Sequence, residues 1–378
     1  MIDLTWLALP IGLGLTLLTL LDVFMTVLHV QAESPISNKF NLWFWHSLLW
    51  VGQALPKGAR DELLAWGAPL MIAATFACWA LFYIVGFALL YLPAIHDPAA
   101  FSVDAPHSAV DDALYFSAAT FFTLGYGEIV PVHPLARLLS AFEAASGLVT
   151  ISLSVTYLLS VYPLITRKVA LAASLNQETD GRSDGVAVAE RYVASGQADA
   201  LGQRLHVLND ELLYLGHAHA FYPILFYVRP RQVHESFVRI LALIQGLVAT
   251  LRYGLDPSAH PEAVTDPRLL IFEEGFLYTL HVLSTSVHLD PRGNPKEDAA
   301  RARDEFRALL DELAGCGVTP VSPEDRAAAE AHARFRATTD RYIRAYATNL
   351  GYPTEAVWRA YSRQDRGSAL LDDRDVKP

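Results

Sequence analysis

Charged side chains are scarce in the first 166 residues of this 378-residue chain and concentrate after them. Asp, Glu, Lys and Arg make up 18% of the whole sequence, and residues 63–95 contain none of them. Because a soluble domain needs a more evenly polar surface, this distribution argues against a wholly soluble protein. It predicts one membrane module followed by one soluble module.

Several chemistry-bearing features are also missing from the sequence. The two cysteines, Cys78 and Cys316, lie in segments that we assign to membrane and cytosol, so a disulfide framework is not expected. The net charge is −11, and no basic cluster indicates nucleic-acid binding. No segment carries Arg or Lys at every third position, so the sequence does not indicate voltage sensing of the usual kind. We expect no enzymatic activity and no catalytic residues.

Three long apolar segments, 4–30, 63–95 and 134–166, are predicted to cross the membrane. Each exceeds the roughly 20 residues that a bilayer core requires. Backbone groups in lipid must be paired internally, so these segments should be helices. The first lacks the positive start of a signal peptide, and we interpret it as a retained transmembrane helix. The protein is therefore expected in the lipid bilayer of the plasma (cytoplasmic) membrane, as a multi-pass protein.

The tryptophan-rich segment 41–55 is predicted to be an interfacial amphipathic helix, because Trp prefers the headgroup boundary. A polar connector, 56–62, follows it. A fourth spanning helix at 41–55 is the alternative.

The distribution of positive charge predicts the orientation. The 31–62 connector and the Arg167-Lys168 pair carry positive charge, whereas the loop from 96 to 112 has four aspartates and no Lys or Arg. Positive segments stay inside, so the C-terminal half is expected to be cytoplasmic. The loop from 96 to 112 would then face the outside, where acidic residues could form a negative mouth that concentrates cations. Alternatively, part of this loop is merely solvated. The acidic residues concerned are Asp97, Asp104, Asp111, Asp112 and Glu128.

The run Thr123-Leu124-Gly125-Tyr126-Gly127 lies between the second and third apolar segments. In isolation, Gly-Tyr-Gly is also typical of an ordinary turn. In this context the run resembles the selectivity filter of potassium channels. The resemblance implies that K⁺ is held at Thr123, Leu124, Gly125 and Tyr126 by a ring of backbone carbonyls, with the Thr123 hydroxyl as an inner ligand. Such a ring requires unusual backbone angles at alternate residues, which glycines at 125 and 127 reach without a Cβ clash. The Tyr126 ring would point away from the axis.

The same resemblance covers residues 63–166 and implies a pore module. It makes 110–122 the pore helix and 134–166 the inner helix, with Gly147 as a hinge or, equally, a close-packing site. Residues that share the face of Gly147 would line the cavity, or their hydroxyls would bond their own helix. These residues are Thr150, Ile151, Ser154 and Leu158.

Two carboxylates lie within predicted spans and are functional candidates for that reason. Glu143 could brace the filter from behind through hydrogen bonds, which we favour, or lie near enough to the surface to reach water. Asp22 could pair with a cytoplasmic Lys or Arg and need no further role.

Each chain contains one filter sequence, and the carbonyl ring of a filter requires four. The sequence therefore predicts a homotetramer. The predicted fold class is an all-α membrane protein with a potassium-channel pore module, an additional N-terminal transmembrane helix and a helical cytoplasmic domain. The predicted function is a potassium-selective channel. The alternatives are a non-selective cation channel and a membrane-anchored sensor or scaffold with a vestigial pore. The predicted parts are an N-terminal segment (1–62), a pore module (63–170), a helical domain (171–363) and a disordered tail (364–378).

Beyond a polar linker at 174–186, the periodicity of the C-terminal half predicts helices, and the sequence carries no signature of a gating ligand or protein partner. No G-x-G-x-x-G occurs, so the Rossmann-type regulatory domain of many relatives is not supported. Ser322-Pro323 is expected to begin a helix. His217 and His219 fall on different helix faces, which does not favour a metal site. The predicted helices are 187–228, 232–253, 268–288, 298–314, 323–349 and 353–363.

Overall fold

The computed structural model describes residues 5–28, 34–286, 289, 291 and 295–361. Helices dominate it, and the predicted fold class, an all-α membrane protein, is confirmed. The chain divides into two compact units, Met1–Tyr162 and Pro163–Pro378. The tail predicted to be disordered, 364–378, lies outside the described residues.

The N-terminal unit is built from helices and one small antiparallel sheet. The three predicted spans are helical and long and apolar enough to cross a membrane. Its elements are α1 (Thr5–Val27), α2 (Ser37–Gln53), α3 (Lys57–Ala65), α4 (Gly67–Tyr91), β1 (Phe101–Val103), α5 (Ala109–Phe121), β2 (Ile129–Pro131) and the start of α6 (Pro134–Glu178). The pairing of β1 with β2 was not predicted, because three-residue strands carry no readable alternation.

Two predicted connectors are wrong. Residues 57–62, predicted to be a polar connector, and residues 63–65, predicted to start the second span, together form α3. The inner helix does not give way to a linker at 174 but continues to Glu178. Its last turns, 170–178, are rich in Ala and Leu, which favour helix. Leu171 and Leu175 are buried, and Gly181 then ends the helix with a left-handed φ of 74°.

Helices α1 and α4 pack backbone to backbone through small residues. A Cβ at Gly12 would lie 2.6 Å from the Gly86 carbonyl oxygen, so only glycine permits this approach. Such contacts are the usual basis of helix association in membranes, where burial of apolar surface supplies little driving force.

Among the described residues, Asp22 caps the N-terminus of α2 and does not form the pair with a Lys or Arg that the sequence suggested. Its buried carboxylate accepts hydrogen bonds from the Ile36 amide at 2.7 Å, the Ser37 amide at 3.1 Å and the Trp79 indole at 2.7 Å. The Ser37 hydroxyl is a further donor. A carboxylate at this position satisfies orphan amides and faces the positive end of the helix dipole. The α2 helix has 17 residues and is not among the helices long and apolar enough to span, while its interfacial position stays a prediction.

The regular secondary structure of the C-terminal unit is helical in its described residues, apart from one isolated β-bridge between Leu255 and Pro320. After the end of α6 its elements are α7 (Val186–Val188), a π-helical turn (Ala189–Ala194), α8 (Ala198–Phe221), two 3₁₀ turns (Pro223–Tyr227 and Val233–Glu235), α9 (Phe237–Val248), a π-helical turn (Ala249–Gly254), α10 (Pro261–Val264), α11 (Pro267–Ser286), α12 (Pro295–Gly315), α13 (Arg326–Asn349) and α14 (Thr354–Trp358).

Some predicted boundaries in this unit are wrong. The single helix predicted over 187–228 is interrupted at Gly196, which has a φ of 69°, and ends before Pro223. The last long helix is capped by Asp325 rather than Ser322, because the Asp325 carboxylate accepts from the amides of Ala327 and Ala328 at 2.9 and 3.1 Å.

The segment Phe237–Gly254 is long and apolar enough to cross a membrane, yet it was not predicted to do so. Every side chain of α9 is buried by the surrounding helices of the unit. A helix with so few polar side chains is equally suited to the middle of a large core, and that is where it lies.

Candidate functional site

Helix α5 leads directly into the Thr123–Gly127 run, which we call the filter loop. The Ser108 hydroxyl caps α5 by accepting from the Asp111 amide at 3.1 Å, and two aspartates lie in the first turn. The helix then ends at Phe121, so its negative dipole end lies next to the filter loop. The amide of Leu124 donates to the Ala119 carbonyl at 2.8 Å and ties the loop to the helix end.

Alternate residues of the filter loop have left-handed backbone angles. The φ values are 54° at Thr123, 60° at Gly125 and 93° at Gly127, and neither Leu124 nor Tyr126 has a positive φ. The unusual backbone angles predicted for Gly125 and Gly127 are therefore confirmed. The value at Thr123 was not foreseen, because a β-branched residue rarely adopts such an angle and no sequence signal marks it. Strain of this kind concentrates at functional sites.

The filter loop is exposed within a single chain. Tyr126 is 67% exposed and Leu124 is 54% exposed, although both are large apolar side chains. The loop backbone is likewise open, since a Cβ at either loop glycine would meet nothing within 4 Å. Among the described residues of a single chain, this loop therefore has no packing partner on one side.

Glu143 of α6 links three helices behind the filter loop. It is fully buried and accepts hydrogen bonds from the Tyr91 hydroxyl of α4 at 2.8 Å and from the Ser117 hydroxyl of α5. The alternative that Glu143 reaches water is wrong. Its hydrogen bonds within the described residues go to α4 and α5 rather than to the filter loop, so it acts on the loop through α5. Neither partner could be recognised from the sequence, because a Tyr and a Ser are common in apolar helices.

Gly147 marks a close contact between α6 and the end of α5. A Cβ at this position would lie 2.2 Å from the Phe121 carbonyl oxygen, which is far inside van der Waals distance. Of the two interpretations left open by the sequence, the structure provides the packing contact. The hinge stays a prediction.

The predicted cavity-lining residues of α6 share one groove of about 430 Å³. Thr150 and Ser154 are buried, whereas Ile151 and Leu158 are about half exposed. The Ser154 hydroxyl donates to the Thr150 carbonyl at 2.7 Å, so the helix satisfies it as anticipated. The groove is apolar and is also lined by Phe76, Ala77, Ala80, Phe121, Phe122 and Val155.

The acidic residues near α5 differ in their exposure. Asp112, expected at the outer mouth, is buried and accepts from His96 Nε2 at 2.7 Å and from the His107 amide at 2.9 Å. Partial desolvation opposes its ionisation, but the His96 hydrogen bond, the amide and the two imidazole charges outweigh it and lower the Asp112 pKa. Asp111 and Glu128 stay exposed, and Glu128 accepts from the Tyr115 hydroxyl. The sequence missed His96, which lies 16 residues from its partner.

Comparison with known proteins identifies the same part of the chain. Residues 78–162 match a protein family described as "Ion channel". A protein of Bacillus subtilis (strain 168) named "Uncharacterized membrane protein YdjJ" is 26% identical over 291 residues, which are 76% of this chain and 82% of that protein. No solved structure matches the chain. The chain is thus similar to ion channels over the segment that holds most of α4, all of α5, the filter loop and the first part of α6.

Proposed function

We propose that this protein is a potassium-selective channel of the plasma membrane, in which four copies surround one pore. The observation that carries the proposal is the alternation of left-handed angles at Thr123, Gly125 and Gly127, directly after the pore helix. Alternation of this kind lets successive carbonyls face one side, where they can replace the hydration shell of a cation. The match to ion channels over 78–162 supports the same function.

The exposure of the filter loop supports assembly. One chain supplies one loop, and a carbonyl ring needs several around an axis. The 67% exposure of Tyr126 is consistent with a site that a neighbouring subunit covers. Potassium selectivity requires the glycines and the tyrosine together, and all three are present.

The C-terminal unit, which the charge pattern predicts to be cytoplasmic, would influence gating through α6. The end of this helix is anchored inside the unit. Arg167 forms a two-pronged pair with Glu211 at 2.7 Å for each bond, and buried Lys168 donates to the Leu225 carbonyl at 3.1 Å. Movement of the unit would therefore be transmitted to the inner helix, whatever ligand or protein partner drives it.

A reversal-potential measurement tests the proposal. Purified protein in a planar bilayer, with K⁺ on one side and Na⁺ on the other, is expected to reverse near the K⁺ equilibrium potential. A reversal near zero would instead favour a non-selective cation channel. Absence of current would favour the sensor or scaffold.

A matched pair of variants assigns the current to the filter loop. Gly125→Ala places a Cβ on a residue with a φ of 60°, so selectivity or conduction should be lost. Gly14→Ala adds the same methyl group where nothing lies within 4 Å and should leave the reversal potential unchanged. Equal behaviour of the two variants would mean that the loop is not the selectivity element.

A further inference from the structure

A cavity of about 570 Å³ lies within the C-terminal unit, bounded by α12, α13 and α14. Along α13 it is lined by His332, Arg336 and Arg344, and we call it the α13 cavity. Its volume falls within the range of about 300–1,000 Å³ that is usual for small-molecule sites. All of its lining residues belong to the C-terminal unit, so conduction through the filter loop does not account for it.

Two polar groups of this lining are buried and have no hydrogen-bond partner in the part of the chain that the structure describes. They are Nδ1 of His332, a residue that is 3% exposed, and Nε of Arg336, a residue that is 9% exposed. The Arg336 Nε lies 3.6 Å from an Asp340 carboxylate oxygen, which is too far for a hydrogen bond. Because buried polar groups in folded proteins are nearly always paired, a ligand that supplies partners here would stabilise the folded chain.

Three of the acidic residues that line the α13 cavity are already paired with arginines. Arg182 forms ion pairs with Asp184 at 2.8 Å and with Glu312. Arg336 meets Glu305 at 2.8 Å. The described residues also contain no group of histidine, cysteine and carboxylate side chains that could hold a metal ion. The lining therefore does not favour a metal cation as the ligand.

Two arginines at the α14 end of the cavity have no carboxylate partner within the described residues. Arg344 is partly buried, with its guanidinium over the Trp358 ring at 4.9 Å, and Arg359 is exposed. The remaining acidic residue of the lining, Glu355, is exposed as well. Two unpaired guanidinium groups against one carboxylate leave positive charge in excess at this end. A guanidinium presents a planar set of donors that matches the oxygens of a phosphate or a carboxylate.

Apolar residues contribute much of the remaining lining of the α13 cavity. Gly246, Ala249, Ala308 and Leu309 are small or aliphatic, and Trp358 adds an indole ring. Walls of this kind bind the apolar part of a ligand, and flat rings pack well against an indole. The cavity therefore suits an organic molecule better than a bare inorganic ion.

We propose that the α13 cavity binds a small organic anion. Its phosphate or carboxylate group pairs with Arg344 and Arg359, and a flat ring packs against Trp358. A hydrogen-bonding group on the ring meets His332 at the other end of the stripe along α13.

The α13 cavity is connected to the end of the predicted inner helix. Ser183 and Asp184 line the cavity, and only four residues separate them from the end of α6 at Glu178. The Ser183 hydroxyl donates to the Trp358 carbonyl at 2.7 Å, and a Cβ at Gly246 would collide with the Ser183 carbonyl oxygen. Because this segment is held so tightly, a bound anion biases the position of the end of α6. The effect on gating rests on the proposed channel function, whereas binding itself does not.

Equilibrium dialysis of the purified full-length protein tests binding with three matched probes. Adenosine 5′-monophosphate carries a phosphate, adenosine-5′-carboxylic acid carries a carboxylate, and adenosine carries neither. At least one of the two anions should bind with a Kd of about 1 mM or below, and at least about tenfold more tightly than adenosine. The tighter of the two anions identifies the oxyanion that the site prefers. Absence of binding by both anions, or adenosine binding equal to theirs, would overturn the proposal.

A charge substitution assigns the binding to the arginines of the cavity. Arg359→Gln removes an exposed charge that forms no ion pair within the described residues, so the fold should tolerate it. The affinity for the anion should fall at least about tenfold. Arg334→Gln is the matched control, because Arg334 is exposed on α13 and does not line the cavity. An equal loss of affinity in both variants would mean that the anion responds to overall charge, and the proposal would be rejected.

A steric substitution tests the same site without a change of charge. Ala308 is exposed and lines the cavity, so Ala308→Trp should fill the space and abolish binding of the anion. Ala327→Trp adds the same ring in the first turn of α13, outside the cavity, and should bind like the wild type. Undiminished binding by Ala308→Trp would mean that the anion binds elsewhere.

Failure of this inference is distinguishable from failure of the channel function, because dialysis requires no current. A potassium-selective channel that binds neither anion rejects the ligand site alone, whereas an anion-binding protein that carries no current rejects the channel alone. In a conducting protein, the anion that binds should change the open probability of the wild type and have little effect on Arg359→Gln. An unchanged open probability in the wild type would reject the regulatory role of the site.

Discussion

Two buried carboxylates of the N-terminal unit meet neutral donors, whereas partly exposed carboxylates of the C-terminal unit meet arginines. In the N-terminal unit, Asp22 and Glu143 accept hydrogen bonds from neutral donors, which are backbone amides, hydroxyls and an indole. In the C-terminal unit, carboxylates such as Glu211 and Asp266 meet arginines. A segment surrounded by lipid gains little from bringing in a second charge, because each charge must be desolvated, whereas partly exposed ion pairs keep some solvation. Helices in the first unit are therefore joined by close packing and neutral hydrogen bonds.

The largest expected effect tests the close packing. Gly147→Ala would place a methyl carbon 2.2 Å from the Phe121 carbonyl oxygen, so α6 and the end of α5 must separate. We expect K⁺ flux into liposomes to fall by more than about tenfold, since overpacking of this kind costs about 1–3 kcal/mol and displaces the helix that holds the filter loop. Gly14→Ala is the control, because its added methyl group meets nothing within 4 Å. Wild-type flux through Gly147→Ala would contradict the packing role.

The contrast between the units also explains what the sequence could reveal. Apolar length predicted the three helices that can span a membrane, and the two glycines predicted the left-handed loop angles, because both are local signals. Hydrogen bonds between residues distant in sequence were not predicted. One example is the bond between Asp22 and Trp79, which are 57 residues apart. The polar end of α6 was taken for a linker, since Asn176 looks solvated in sequence, whereas its side chain is buried and donates to Ala172 and His234 carbonyls at 2.8 Å. The composition of a segment gives its average polarity, whereas packing determines whether an individual residue is buried.

Removal of the Tyr91 hydroxyl tests how much one neutral hydrogen-bond donor contributes to the stability of the N-terminal unit. Tyr91→Phe deletes the hydroxyl that donates to Glu143 at 2.8 Å and leaves a buried carboxyl with one partner fewer. We expect the free energy of unfolding to fall by about 1–3 kcal/mol, read as a lower melting temperature in detergent. Tyr162→Phe, which removes the hydroxyl of a 65% exposed tyrosine, should have little effect. If both variants melt together, Glu143 does not depend on this bond.

The titration of His332 in the C-terminal unit should have a smaller effect on the free energy of unfolding near neutral pH than the loss of the Tyr91 hydroxyl. Burial, with help from the Arg336 charge, lowers the pKa of His332 to about 3 against an ordinary value of 6.5. The unfolded chain then binds a proton that the folded chain refuses, so the contribution is complete above pH 6.5 and is lost as the pH falls towards 3. Between neutral pH and pH 5.5 the loss amounts to about 1 kcal/mol.

Denaturant unfolding across this pH range provides the measurement. His332→Gln keeps a side-chain donor but does not titrate, so its stability should depend less steeply on pH than that of the wild type. His206→Gln, which changes a histidine with a side chain 64% exposed, is the control and should keep the wild-type slope. An unchanged slope in His332→Gln would mean that another group governs the acid limb.

The smallest expected effect on stability lies in the ion pair at the base of α6. Glu211→Gln keeps the shape of the side chain but removes the charge that Arg167 meets in two hydrogen bonds of 2.7 Å. Both side chains are partly exposed, 42% and 27%, so the loss of unfolding free energy should stay below about 1 kcal/mol. If the C-terminal unit acts on gating through this anchor, open probability in single-channel recordings should change although the melting temperature hardly moves.

Asp210→Asn, which removes a neighbouring carboxylate that is 66% exposed, should change neither quantity. A large drop in melting temperature from Glu211→Gln alone would mean that ion pairs in this unit stabilise as strongly as the neutral hydrogen bonds of the N-terminal unit, and the contrast between the two units would then disappear.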